Sequence, residues 1–164
     1  RPAPAENARA VKDIRKQNLP RAIPVPARPI GRLLITAGPT LSRIDAVRYL
    51  TNPSTGRMGV ALAEAALEMG WAVSLILGLD KGTEKPTEAA RAHPNFECVM
   101  VETAEEMAME AMKRLPTSDG VIATAAVLDY RVENSEPGKI KRADEPITLR
   151  LLPSVDVLAT LRAL

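Results

Sequence analysis

From Gly31 to the C-terminus, short apolar runs alternate with segments of helical period, and that alternation admits few folds. Arg32–Thr36, Ala72–Leu77, Phe96–Val101 and Gly120–Thr124 read as strands. Between them, Met58–Met69 and Ala104–Leu115 read as helices, with Gly70 a stop for the first and Thr103 a cap for the second. Asp80–Lys85 reads as a loop and Pro86–Ala92 as a short helix. Strands alternating with helices predict a doubly wound, mostly parallel sheet of the Rossmann-like α/β class. The composition suits it. Apolar residues make up 46% of the chain but aromatics only 2%, so the core must be built from Ala, Val, Leu, Ile and Met.

The pattern changes after Thr124. Lys139–Lys141 and Ile147–Leu152 read as two arms of an added antiparallel hairpin, set off by Pro137-Gly138 and Asp144-Glu145-Pro146. A last helix is predicted from Ser154 or Val155 to Leu164, with Ser154 as its cap and Asp156 in its first turn. A doubly wound nucleotide fold normally continues with another strand, so the domain is expected to be C-terminally incomplete.

Residues 1–30 form a basic, proline-rich arm, and residues 31–164 form the nucleotide-binding domain. Ala5–Leu19 is helix-compatible, and Pro20, Pro24, Pro26 and Pro29 favour an extended linker. Residues 1–32 carry eight Lys and Arg against two acids. No aromatic residue is interleaved for base stacking, so a solvated arm is expected and no nucleic-acid partner. The single cysteine, Cys98, excludes an intrachain disulfide and sits in a strand, where a buried, inert thiol is expected. His93 lies in a loop with no His or Cys at ligand spacing and reads as a surface residue. No apolar run spans a membrane and no signal-peptide pattern is present, which points to the cytoplasm. The first residue is Arg rather than Met.

Three segments carry candidate chemistry. The run Leu33–Gly59 places a strand, the small-residue turn Thr36-Ala37-Gly38-Pro39-Thr40, and then Asn52-Pro53-Ser54-Thr55-Gly56-Arg57 at the start of a helix. Glycines let backbone approach a ligand, and the free N–H groups of a first helical turn hold anions. The bland reading is a plain turn and close helix–sheet packing. Neither G-x-G-x-x-G nor the P-loop pattern is present. The second segment, Asp119–Arg131, ends a strand in small residues, Ala123 to Ala126, followed by Asp129-Tyr130-Arg131. Small side chains at a strand end let a flat ring lie against the backbone. In the third, Lys139 and Lys141 at i and i+2 share one face if the segment is a strand, which suits a triphosphate. An exposed basic edge strand is the bland alternative.

Taken together, ITAGPT…ID-VRY-TN-S-G-MG, AAV-DYR and KIK-R resemble phosphopantothenate–cysteine ligase, also called phosphopantothenoylcysteine synthetase, which in many bacteria is the C-terminal half of a bifunctional flavoprotein. The resemblance covers about Gly31 to Leu164. It implies condensation of 4′-phosphopantothenate with cysteine through an acyl-nucleotide made from CTP, or from ATP, with Mg²⁺. It also implies a homodimer and no flavin in this chain. Asn52 matches the family asparagine that contacts the acyl-nucleotide, and Lys139 the first lysine of K-x-K-K. Gly38, Ser54, Thr55 and Gly56 match phosphate-contacting loops. Ala125, Ala126 and Asp129 match the region around the base, Lys141 the continuation of the lysine motif, and Leu152, Pro153, Ser154 and Val155 a further nucleotide-contacting stretch. The chain departs from the family at Leu41-Ser42-Arg43, at Ser154-Val155-Asp156, and at Arg57, where a lysine is usual.

Two other readings stand beside this one. A non-catalytic nucleotide-binding or dimerisation fragment would keep the fold without turnover. A nicotinamide-dependent oxidoreductase would need its own signatures, but Tyr49 is followed four residues on by Pro53, and Tyr130 by Asn134, where the short-chain type has lysine.

Overall fold

A computed structural model describes residues 22–163. In chain order its elements are β1 (Arg32–Ala37), β2 (Leu41–Arg43), β3 (Tyr49–Thr51), α1 (Arg57–Glu68), β4 (Ala72–Gly78), α2 (Glu88–Arg91), β5 (Phe96–Val101), α3 (Ala104–Arg114), β6 (Gly120–Ala123), β7 (Tyr130–Val132), β8 (Leu151–Pro153) and α4 (Val157–Arg162). A 3₁₀ turn, Leu115–Thr117, follows α3.

β1, β4, β5 and β6 form one parallel sheet in the order β5-β4-β1-β6. Ile35 of β1 stands between Leu75 of β4 and Ile122 of β6. The order reverses at β1: the chain winds outward through β4 and β5, then returns to the other side of β1 as β6. This is the Rossmann order, and it puts a crevice at the C-terminal ends of β1 and β6.

Alternation along the strands sorts the core into two layers. Ile35, Ala37, Val73, Leu75 and Leu77 pack with Val60, Ala63 and Leu67 of α1 and with Ala90 of α2. Leu34 and Ile76 face the other way, onto Met107, Ala108 and Ala111 of α3 and Val157 and Leu161 of α4. Both layers are aliphatic, and the aromatic residues Trp71 and Phe96 are only partly buried at the first layer's margin. Each fully buried Leu or Ile contributes about 1.5–3 kcal/mol.

Three helix starts are closed by side chains. Thr103 and Glu106 form a reciprocal capping box on α3, Thr87 accepts from the Ala90 N–H on α2, and Asp156 accepts from the Ala159 N–H on α4. α1 starts at Gly56, which has φ 69° and supplies no cap.

Four expectations need correction. The antiparallel partner of Leu151–Pro153 is Tyr130–Val132, and Lys139–Lys141 lies outside any strand. Val132 has a buried side chain and an N–H held by Ser42 Oγ at 2.8 Å, whereas the charged lysine segment offers no apolar face to bury. The last helix begins at Val157 with Asp156 as its cap, rather than at Ser154 or Val155, because the Asp156 carboxylate accepts the third helical N–H. His93 is buried, not superficial. One ring nitrogen meets Pro24 O at 3.1 Å and the other accepts from Asn95 N at 3.2 Å. That contact, the Ile30 N–H on Gly70 O, and Ile23 against the core dock residues 23–30, which were expected to be a plain linker. The helix expected over Ala5–Leu19 lies outside the described residues.

Gly59 shows how closely α1 rides on the strand ends. A Cβ there would stand 2.3 Å from Ala37 Cβ and 2.5 Å from Thr124 Oγ1. Gly59→Ala is therefore expected to lower the unfolding free energy by about 1–3 kcal/mol in urea titration. A change below about 0.5 kcal/mol, the size of an ordinary surface effect, would contradict this packing.

Candidate functional site

The crevice is built by extending the β1–β6 pairing beyond both strands. Thr124 donates its N–H to Thr36 O at 2.9 Å and its hydroxyl to the same oxygen at 2.8 Å. Ala126 N–H reaches Gly38 O at 2.9 Å, and Thr40 N–H reaches Ala126 O at 3.3 Å. Side chains then continue the ladder. Thr40 Oγ1 accepts from Leu128 N–H at 2.9 Å, and Ser42 Oγ accepts from Val132 N–H. The turn after β1 and the small-residue run after β6 are thus one continuous floor.

The turn needs glycine for two reasons. Gly38 has φ 76°, and a Cβ there would lie 2.3 Å from Gly78 O. Gly56, also at positive φ, sits against Gly38, with a Cβ position 3.1 Å from Gly38 Cα. The N-terminus of α1 is therefore pressed against the end of β1. With no side chain capping it, the N–H groups of its first turn are open to a ligand, and the helix dipole favours an anion there. Half-buried Ser54 and exposed Thr55 stand immediately before this helix start. Ser54 Oγ accepts from Gly56 N–H at 3.4 Å, and Thr55 O from Glu84 N–H at 2.8 Å.

Asn52 joins the two halves of the crevice. Its Nδ2 donates to Ala126 O at 3.2 Å and to Val127 O at 3.1 Å. Both bonds use the amide nitrogen, which leaves Oδ1 for a ligand. A cavity of about 420 Å³ opens beside this floor, lined by Thr36, Ala125, Asp129, Ser154 and Val155 among others. Ser154 N–H donates to Asp129 O at 2.8 Å and closes its rim. Leu152 and Pro153 lie in β8, opposite Arg131 and Tyr130.

Among the anticipated residues, Gly38, Asn52, Ser54, Thr55, Gly56 and Ala126 therefore cluster about the turn after β1, and Ala125, Asp129, Ser154 and Val155 line the cavity beside it. Lys139 and Lys141 do not. They line a separate surface recess with Arg48 and Arg142, which shares no residue with the crevice.

The sequence did not reveal the pins that hold this floor. The departure Leu41-Ser42-Arg43 is β2, paired antiparallel with β3. Leu41 is buried, Ser42 serves Val132, and Arg43 pairs with Glu102 at 2.6 Å. Tyr49 Oη donates to Asp80 Oδ1, tying β3 to the loop after β4. That bond holds the Asp80 carboxyl below its usual value and raises the Tyr49 hydroxyl. Cys98 is half-buried, and burial followed by the charge of Glu97 raises its thiol, as an inert cysteine should be. The one available signal here was Asp45-x-x-Arg48, an Asx-turn pattern between Leu41–Ile44 and Tyr49–Thr51.

The fold and crevice define an α/β domain of Rossmann strand order, with a crevice at the switch point beside an uncapped helix N-terminus. The chain belongs to the family described as the DNA/pantothenate metabolism flavoprotein C-terminal domain, matched over residues 30–164. It is 40% identical over 129 residues to the coenzyme A biosynthesis bifunctional protein CoaBC of Bacillus subtilis, covering 79% of this chain and 30% of that protein. The crystal structure of a CoaBC C-terminal domain superposes with a TM-score of 0.65 at 36% identity, covering 82% of this chain and 59% of that one. A DNA/pantothenate metabolism flavoprotein from Streptococcus pneumoniae gives 0.69 at 26% identity, covering 81% and 64%. This chain thus spans about a third or less of the curated relatives it matches. No described helix is long and apolar enough to cross a membrane.

The Thr40 hydroxyl is the simplest test of the floor. Thr40 is fully buried, and Thr40→Val keeps its shape but leaves the Leu128 N–H without its acceptor. A loss of about 1–3 kcal/mol is expected in urea titration, with Thr40→Ser, which keeps the oxygen, falling nearer wild type. Equal losses in the two variants would contradict the role given to this oxygen.

Proposed function

We propose that this domain forms the nucleotide-and-acyl site of a phosphopantothenate–cysteine ligase in coenzyme A biosynthesis. The carrying observation is the convergence of the Gly38 turn, the uncapped start of α1 and the Asn52 bridge on one crevice. Membership of the family and its relatives' naming as coenzyme A biosynthesis proteins support the reading.

In the first half-reaction a carboxylate oxygen of 4′-phosphopantothenate attacks the α-phosphorus of CTP, or of ATP. The bond to the bridging oxygen breaks and pyrophosphate leaves. The open N–H groups of α1, with Ser54 and Thr55, hold phosphate oxygens as their charge develops. Lys139 and Lys141, from their separate recess with Arg48 and Arg142, take the outer phosphates of the triphosphate where it extends out of the crevice. The base lies against the Ala125–Ala126 backbone beside Asp129, with Leu152–Val155 along the far rim. In the second half-reaction the cysteine amine attacks the acyl carbon and the nucleoside monophosphate leaves. Asn52 Oδ1 then accepts a hydrogen bond from the attacking amine, while its Nδ2 stays on the backbone carbonyls.

Among the described residues, no group of three His, Cys, Asp or Glu could hold a metal ion. A magnesium ion carried by the nucleotide phosphates and water needs no protein cage. Bound in this way, the ion would neutralise phosphate charge.

The domain works as a homodimer. Ile147, Leu149 and Leu151 alternate along one extended segment and remain 55%, 37% and 42% exposed, beside an exposed Tyr130. Such a row suits a second copy, and concentration-independent monomers in sedimentation would refute it.

The enzymatic test is pyrophosphate release from CTP or ATP, dependent on 4′-phosphopantothenate, in the full natural protein. Lys139→Gln is expected to lower release by about 10²-fold or more, the cost of losing a group that stabilises developing charge. Asn52→Ala is expected to leave pyrophosphate release measurable while product formation with cysteine collapses. Near-wild-type product formation in both variants would reject the assignment.

A further inference from the structure

One carboxylate outside the crevice gathers more hydrogen bonds than any other described side chain around it. Asp45 lies in the turn between β2 and β3 and is 1% exposed. Its Oδ1 closes the turn, accepting from Val47 N–H at 2.9 Å and Arg48 N–H at 2.8 Å. Its Oδ2 accepts from Arg48 Nε at 3.0 Å, from the terminal nitrogen of the same guanidinium, and from Ile140 N–H at 3.1 Å. Arg48 in turn donates to Ile140 O at 2.9 Å. Both peptide groups of Ile140 are thus gripped by one ion pair that lies more than ninety positions earlier in the chain.

Ile140 stands between Lys139 and Lys141. Residues 133–150 contain no helix or strand, so no regular ladder fixes where those two ammonium groups stand. The clamp does so, aided by Glu136 N–H on Ile44 O at 3.0 Å. An acid needed only for its own turn would use Oδ1 alone. Burying a carboxylate is costly unless every lone pair is used, and here the second oxygen is spent on the lysine segment. The Arg48 guanidinium also holds the Asp45 carboxyl well below the usual carboxylate range, so the acceptor stays ionised near neutral pH.

The geometry points to Asp45 as a positioning residue: through Arg48 and the backbone of Ile140, it sets where Lys139 and Lys141 present their charge to the nucleotide's phosphates. This rests on the ligase reading above, in which those lysines act in the first half-reaction.

Two variants of the full natural protein test it. Asp45→Asn keeps an oxygen for the turn but removes the charge that binds Arg48 and the Ile140 N–H. Ile140→Pro removes that N–H without touching the Asp45 turn, at a half-buried position, and keeps the test in force if Asp45→Asn fails to fold. In each, kcat for pyrophosphate release is expected to fall about tenfold or more, as for a displaced catalytic group, while the KM for cysteine, which enters later, is unchanged. Tryptic cleavage after Lys141 and Arg142, followed by mass spectrometry, is expected to accelerate about tenfold as the segment opens, with cleavage after Lys113 in α3 unaffected. Wild-type pyrophosphate release in Ile140→Pro, or faster cleavage without a kinetic loss, overturns the proposal and leaves the ligase reading standing. A wild-type protein that releases no pyrophosphate overturns both.

Discussion

The rest of the site depends on the parallel pairing of β1 with β6 running on past the ends of both strands. Thr124 on Thr36 closes the regular ladder, and Ala126 on Gly38 and Thr40 on Ala126 are backbone bonds made where regular strand has already ended. They keep the Gly38 turn and the Ala125–Ala126 run at ladder spacing, so the backbone itself forms a flat floor. Pairing of this kind tolerates no bulk. Gly38, Gly56 and Gly78 meet one another's backbone so closely that a methyl group at Gly38 or Gly78 would overlap a carbonyl oxygen. The cost of that crowding is borne by the aliphatic core beneath, where Ile35, Ala37, Leu75 and Leu77 hold the strand ends rigid.

On this floor, charge and polarity are arranged by local chemistry. Three helices close their own starts with Thr or Asp side chains, and α1 leaves its start open at the crevice. Asn52 spends its amide nitrogen on the far loop and keeps an oxygen outward. Buried or half-buried polar groups do the holding: Thr40, Ser42 and the Tyr49–Asp80 bond around the floor, and the Asp45–Arg48 pair at the lysine recess. Each is satisfied by a backbone or charged partner, as buried polar groups must be to avoid a desolvation penalty.

Much of this was legible from the residues. The parallel sheet followed from apolar runs spaced by helices, and Thr103 was readable as a cap because it stands just before a helical run with Glu105 and Glu106 in its first turn. Gly38 and Asn52–Gly56 were readable as a strand, a turn and a helix start. The short strands β2 and β3 were not, because three residues carry no usable period and their pairing depends on Ser42 and Thr40 reaching residues almost ninety positions away. The lysine segment was misread as a strand because Lys139 and Lys141 alternate like one. Its actual partners are polar atoms of Asp45 and Arg48, which periodicity does not register. His93 was misplaced at the surface because its burial comes from Pro24, in a stretch with no periodic signal.

Hydrogen–deuterium exchange of the full natural protein, with and without CTP and Mg²⁺, tests most directly whether this floor holds the nucleotide. New protection confined to Gly38–Ser42, Asn52–Gly59, Thr124–Asp129, Lys139–Lys141 and Leu152–Val155 is the expected result, with β5 and α3 unchanged. Protection elsewhere, or none at saturating nucleotide while the protein turns over, would contradict the placement of the nucleotide at the β1–β6 switch point.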